Sequence, residues 1–198
     1  MQVLYHNDDI AVCLKPIGLD SEHGVPAELK KLIGGDFFTV HRLDLNVGGV
    51  MVYARNKHSA ALLSKVIANN EMIKEYVAKV YGNIENDGVF EDLLFKDSRK
   101  NKVFVVKRQR KGVKSAKLEY IKLSSDSSTS TVRIKLHTGR SHQIRVQFAS
   151  RGFTLVGDGK YGARDNVKFP MLYSCKITFP YKNEILSFES LPDWASER

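Results

Sequence analysis

The chain has 198 residues, 42% of them hydrophobic, and a formal net charge of +9. That length can bury a substantial core within one domain over residues 1–198, with room for two lobes, and no run approaches the roughly 18 apolar residues of a membrane-spanning helix. The first residues, Met1-Gln2-Val3-Leu4-Tyr5-His6, lack the charged-then-apolar order of a secretory signal, so a soluble, cytoplasmic chain is expected.

In chain order, short strands are expected near Val3–Tyr5 and Ile10–Leu14, separated by an Asn7-Asp8-Asp9 turn and closed by Lys15-Pro16 and Gly18. A helix over Pro26–Leu32 would have proline at its first position and Gly34-Gly35 after it. Phe38–Val40 leads into a polar loop, and Gly49–Ala54 reads as a buried strand. Asn56 suits the N-cap of a helix over Lys57–Asn69 whose apolar face is Ala61, Leu62 and Val66. The β-branched and aromatic run Ile73–Tyr81 is a strand stopped by Gly82. Further strands are expected at Val89–Phe95, Val103–Val106, Ala116–Leu123 and Val132–Leu136, with Ser124–Ser130 a mobile hairpin tip. Ser141–Arg151 fits either alternation or helical spacing; the Ser141 cap and Gly152 stop favour a helix. The last strands are near Leu172–Phe179 and Glu184–Phe188. Many strands without regular βαβ alternation imply an α+β fold around a mixed, largely antiparallel sheet.

Two features stand out chemically. Between Lys96 and Lys117 ten basic residues stand against one acid, Asp97, so this segment carries the whole net charge. Concentration of that kind suits a polyanion-binding edge, with Lys107, Arg108, Arg110 and Lys111 at its centre. The second feature is a pair of dense polar runs, His41-Arg42-Leu43-Asp44 and Thr138-Gly139-Arg140-Ser141-His142-Gln143-Ile144-Arg145, each set among apolar segments. Charged groups in such settings are paired or functional. Cys13 and Cys175 lie in apolar runs without a CxxC spacing and read as reduced core thiols.

Several chemistries are disfavoured by pattern. Leu43 interrupts the order of a kinase catalytic loop, and no Gly-rich nucleotide loop, P-loop or nucleophile elbow is present. A metal site drawn from His41, Asp44, His137, His142 and Asp158 lacks the tight spacing of zinc motifs and sits beside Arg42, Arg140 and Arg145, which would repel a cation. On residue type alone, Asp44 could simply turn the backbone, and Tyr76 could be core.

Taken together and in order, five blocks resemble the catalytic domain of the RluA-like pseudouridine synthases, from about Val3 to Phe188. They are Val12-Cys13-Leu14-Lys15-Pro16-Ile17-Gly18; His41-Arg42-Leu43-Asp44 with Gly49 and Ala54; Lys74, Tyr76, Ala78, Val80 and Gly82; Thr138-Gly139-Arg140 with His142-Gln143-Ile144-Arg145; and Gly157-Asp158 with Tyr161-Gly162. The resemblance implies an enzyme that isomerises uridine to pseudouridine in rRNA or tRNA, without metal or organic cofactor. Its implied fold has a mixed, largely antiparallel sheet flanked by helices and loops, with the active-site cleft across the sheet. By position, Asp44 resembles the catalytic aspartate, Tyr76 the tyrosine that stacks on the target base, and Arg145 the arginine that pairs with the aspartate. Arg42 resembles the arginine that fills the space of the extruded nucleotide. RNA contacts would extend to His41, Arg140, His142 and Gln143, and the partner would be a structured RNA bound by a monomer.

Two departures from the family pattern follow. After Asp44 the usual acid and Thr-Ser-Gly are replaced by Leu45-Asn46-Val47-Gly48-Gly49, which removes hydroxyls and suggests a freer backbone. No N-terminal S4-type RNA-binding domain is expected, so the catalytic domain would itself recognise its target by RNA shape and phosphate contacts. The competing reading, a non-catalytic RNA-binding or RNA-folding factor on the same scaffold, has no need of Asp44, Tyr76 and Arg145 together. A metal-dependent RNA hydrolase would require a divalent ion.

Overall fold

The structure, a computed structural model, describes residues 1–196. Its strands are β1 (Gln2–His6), β2 (Ile10–Lys15), β3 (Phe38–Thr39), β4 (Gly48–Ala54), β5 (Ile73–Tyr81), β6 (Asp87–Asp97), β7 (Lys102–Val106), β8 (Val113–Ser125), β9 (Thr129–Leu136), β10 (Leu172–Tyr181) and β11 (Glu184–Glu189). Helices are α1 (Gly24–Ile33), α2 (Lys57–Ala68), α3 (Gln143–Ala149) and α4 (Asp193–Ser196), with a single 3-10 turn at Gly159–Tyr161. No helix among the described residues is long and apolar enough to cross a membrane. The chain forms two compact units, one of Met1–Glu75 with the stretch from Tyr173 onward, the other of Tyr76–Leu172.

In the first unit the strand order is β1-β2-β4-β10, with β3 also on β4 and β11 on β10. Asn7 makes the first turn, its Oδ1 accepting the amides of Asp9 and Ile10 at 2.9 and 2.8 Å. Every residue of β4 is buried, because neighbours pair on both edges and the unit's apolar side chains pack against it. Ile10, Val12, Val50, Val52, Leu63, Ile177 and Phe179 form the core.

Helix α1 starts two residues before the expected Pro26, which is third in the helix rather than first. The cause is upstream. Asp20 Oδ1 accepts the amides of Glu22 and His23, and its carbonyl accepts Val25 N–H at 2.9 Å, so the chain is already turning before the proline. Proline is tolerated there because first-turn amides have no partner within the helix. The Asn56 cap of α2 is as expected, Oδ1 accepting Ser59 N–H at 2.8 Å. Its buried face, however, is Ser59 and Leu63 rather than Ala61 and Leu62, which face solvent. Apolar residues occur on two faces of this helix, and only packing selects one.

β4 and β10 run parallel, with Gly48 opposite Tyr173 and Gly49 opposite Ser174. Gly49 has φ +126°, and a Cβ there would lie 2.3 Å from the Ser174 carbonyl oxygen. The diglycine after the polar loop is therefore buried strand held by close approach, not the freer backbone expected from sequence.

The second unit orders its strands β5-β9-β8-β6-β7. β6 and β7 form one antiparallel hairpin and β8 and β9 another, and β8 pairs antiparallel with β6. Strands β8 and β9 extend into the Ser124–Ser130 stretch, leaving a tight tip. Asp126 Oδ1 accepts the amides of Ser128 and Thr129, and Oδ2 accepts the Thr129 hydroxyl at 2.6 Å. Helix α3 forms where helical spacing and alternation could not be separated. Gln143 to Phe148 are all buried, so no exposed face marks the period. Phe90, Tyr120 and Phe148 close its base, with ring centroids 4.9–5.5 Å apart.

Gly49→Ala is expected to destabilise the protein by at least about 2 kcal/mol, since the added methyl meets backbone that cannot yield and the φ is strained. Urea unfolding of the variant beside wild type measures this.

Candidate active site

In the first unit, the loop carrying Asp44 is secured from both sides. The Ser21 hydroxyl donates to the Leu43 carbonyl at 3.0 Å and accepts Leu43 N–H at 3.3 Å. Beyond Asp44 the chain turns, Val47 N–H reaching the Asp44 carbonyl at 3.0 Å, and Gly18 N–H reaches the Leu45 carbonyl at 2.8 Å. Under this turn lies Lys15, 1% exposed. Its Nζ donates to the carbonyls of Pro16, Leu45 and Val47 at 3.0, 3.3 and 2.8 Å. An ammonium has three protons, and here each has an acceptor. Burial pushes the Lys15 ammonium down to about 8, with Asp20 and Asp44 pulling the other way. The Asp44 residue itself remains partly exposed.

The other members of the run are used differently. His41 Nε2 accepts the Val52 amide at 3.2 Å, and burial, helped by the nearby Lys74 charge, lowers its pKa to about 3. The neutral ring therefore ties the loop to β4. Arg42 points to solvent and pairs with Glu22 at 2.9 Å, both side chains well exposed. Such a pair is worth little and opens readily.

In the second unit, Arg145 is buried on α3 and forks onto Asp158, Nε to Oδ2 at 2.7 Å and Nη2 to Oδ1 at 2.8 Å. Asp158 is 1% exposed, and the guanidinium carbon lies 5.2 Å from the Tyr161 ring centroid. Gly157 makes Asp158 possible: φ is +79°, a Cβ would lie 2.1 Å from the Phe169 carbonyl oxygen, and its N–H is held by Asp165. Tyr161 O–H accepts Val103 N–H at 3.0 Å and lies 2.9 Å from His142 Nδ1.

His142, not Ser141, occupies the N-cap position of α3, in a left-handed conformation at φ 50°. Gln143 is buried, its Oε1 accepting from Thr138 Oγ1 and Arg140 N–H and its Nε2 donating to the Lys117 carbonyl. It fastens the loop. Arg140 is exposed, with Nε donating to the Ser115 carbonyl at 2.9 Å. Tyr76 is 7% exposed on β5. Lys107, Arg108, Arg110 and Lys111 are all exposed, in the loop between β7 and β8.

Lys15, Asp158 and Tyr161 build the site, a part that sequence reading did not assign them although it named all three within its motifs. Their signal was present as a lysine ending the apolar Val12-Cys13-Leu14 run and as the Gly157-Asp158 pair. Two of the five side chains weighed as metal ligands are already committed: His41 Nε2 holds Val52, and Asp158 holds Arg145.

This mixed, largely antiparallel sheet matches a known class of fold. Human RNA Pseudouridylate Synthase Domain Containing 1 superposes with a TM-score of 0.84 at 23% identity, covering 96% of this chain and 82% of that one. The family model for RNA pseudouridylate synthase matches residues 9–150. The dual-specificity RNA pseudouridine synthase RluA of Yersinia pestis is 38% identical over 170 residues, 81% of this chain and 82% of that protein. RluA of Vibrio cholerae is 31% identical over 192 residues, 90% and 77% of the two chains. The chain belongs to the RNA pseudouridylate synthase family, in its RluA-like branch. It is an RNA pseudouridine synthase, an isomerase.

His41 yields a pH prediction. Its folded pKa lies below the unfolded value near 6.5, so below that pH the unfolded chain binds a proton that the folded chain refuses. Stability held above pH 6.5 is lost as pH falls towards 3, by about 1–3 kcal/mol between pH 7 and 4. Urea midpoints followed over this range should fall more steeply for wild type than for His41→Gln.

Proposed function

We propose that Asp44 is the catalytic carboxylate of this synthase, acting on specific uridines of structured rRNA or tRNA. The observation that carries the proposal is the clamp around it. Lys15, Ser21 and Gly18 hold the backbone on both sides of Asp44 while its residue keeps access to solvent. A reactive group fixed by its neighbours yet reachable is the arrangement that positioning catalysis requires.

The reaction breaks the bond between uracil N1 and ribose C1′, turns the base, and rejoins it through C5. It transfers no electrons and consumes no phosphate donor. Asp44 serves as the ionised carboxylate beside the ribose, either attacking C1′ or taking the C2′ proton. Arg145 is assigned as its partner, since the guanidinium N–H groups not engaged by Asp158 can orient a carboxylate and favour its charged form. The Asp158 and Tyr161 contacts support this role by holding the guanidinium plane. Tyr76 is assigned to stack on the target base and to assist proton removal from C5.

A uridine in structured RNA must first leave its stack, at a cost of a few kcal/mol. Arg42 is suited to fill the gap, because its exposed pairing with Glu22 is easily exchanged for phosphate. Arg140, His142 and the Lys107–Lys111 loop supply further phosphate contacts, and His41 and Gln143, which also hold backbone, border the RNA. The Yersinia relative is named dual-specificity, and action on more than one RNA extends to this chain as part of the proposal. The protein is proposed to act as a monomer, as a single catalytic domain, and in the cytoplasm.

Incubation with rRNA and tRNA that lack the modification, followed by chemical mapping of pseudouridine, tests the assignment. Wild type is expected to modify one or a few uridines in EDTA. Asp44→Asn should bind the same RNA and leave it unmodified, and a variant retaining turnover overturns the role of Asp44. Arg145→Lys is expected to lower kcat by at least about tenfold with a smaller change in KM, since lysine cannot reproduce the fork.

A further inference from the structure

Beside the Lys107–Lys111 loop, the second unit has an aromatic surface to which no role has been assigned. On β6 and β7, Leu93 lies opposite Val106 and Phe95 opposite Phe104. Residues directly opposite share a face of the sheet. The alternate residues Leu94 and Val103 cluster with Val146 of α3, so the two phenylalanines point away from that helix. Phe104 is 37% exposed. Cations attend both rings: Lys102 Nζ is 5.9 Å from the Phe104 centroid, and the Arg110 guanidinium lies 4.8 Å over Phe95.

Leu93 and Val106 also line a groove of about 630 Å³, together with Ser115, Lys107 and Thr138. That lies within the ~300–1,000 Å³ typical of small-ligand clefts. Neither Tyr76 nor Arg145 lines it. Its acids are neutralised, Glu91 by Lys117 at 2.6 Å and Asp92 by Arg151 at 2.8 Å. The surplus is positive, because Lys107, Arg108 and Lys111 form no ion pair among the described residues.

We propose that this face and groove bind a single-stranded segment of the RNA substrate, flanking the target, with unstacked bases on Phe104 and in the groove and phosphates along the Lys107–Lys111 loop. The proposal rests on the RNA pseudouridine synthase reading and adds a second nucleotide site to it. The partner follows from the chemistry. Exposed rings among cations are the platform that unpaired bases use, whereas a duplex keeps its base faces stacked and offers only phosphates and groove edges. Charge alone would have served either form. Rings distinguish them.

The test measures fluorescence anisotropy of the full chain with a fluorescein-labelled 12-nucleotide oligouridylate and with a blunt 12-base-pair RNA duplex, at low and moderate salt. Phe104→Ala is expected to weaken the single strand at least about fivefold, in line with the stacking contribution of one base, and the duplex by less than about twofold. Phe104→Trp should restore binding. Lys107→Glu with Lys111→Glu should weaken both RNAs and flatten the salt dependence. Thermal unfolding of each variant confirms folding, and the tryptophan variant supplies the ring readout if the alanine variant is unfolded. Unchanged single-strand binding by a folded Phe104→Ala, tryptophan weakening it as alanine does, or equal losses on both RNAs overturns the proposal. Pseudouridine mapping on the same preparations keeps the two readings apart, since anisotropy requires no turnover: absent modification with ring-dependent binding condemns the enzyme reading alone.

Discussion

An ammonium placed out of water must find an acceptor for every proton, and the buried Lys15 meets that demand with the carbonyls of Pro16, Leu45 and Val47. Those three carbonyls belong to the two segments whose relation decides where Asp44 stands, the end of β2 and the turn after the carboxylate. The charge cannot be satisfied unless both come to it, so one side chain converts a polar loop into a fixed structure. Ser21 and His41 perform the same service on the other side with neutral groups. The unusual sequence after Asp44 fits within this scheme. Lys15 and Gly18 hold the turn through main-chain carbonyls, and hydroxyl side chains at those positions are not needed to keep its shape.

The second unit uses the same device with the sign of the requirement reversed. Asp158 is an acid without solvent, satisfied by the Arg145 fork, and removing either partner would strand a charge in the core. Arg145 is in turn fixed by its helix, which is buried throughout, and lies beside the Tyr161 ring. Gln143 and Thr138 close the preceding loop with a connected set of side-chain and main-chain hydrogen bonds. Both halves of the proposed chemistry thus rest on polar groups that are buried and hydrogen-bonded. Such networks are rigid because losing one member exposes the desolvation penalty of the others.

Legibility in the sequence divided along physical lines. Strands with β-branched runs and glycine stops were readable, as were the Asn7 turn and the Asn56 cap, because each depends on contacts within a few residues. The buried face of α2 was not, since Ala61 and Leu62 are as apolar as Leu63 and only the neighbouring sheet selects between them. The backbone partners of His41 and Gln143, Val52 and Lys117, are 11 and 26 residues away, beyond what local pattern can indicate. Gly49 was misread for a related reason: a glycine signals freedom or close approach equally, and the deciding neighbour is Ser174.

By itself the sequence determined the fold class, the family, the placement of the basic segment and the identity of the charged residues available for chemistry. Those follow from composition, periodicity and ordered motifs carried within single stretches of chain. Tertiary structure decided which polar side chains fasten the backbone, and it alone supplied Lys15 and Asp158 with their partners. The reason is that burial and hydrogen-bond completion are properties of distant segments brought together. A lysine or a histidine has one chemistry in water and another when its neighbours leave it no water at all.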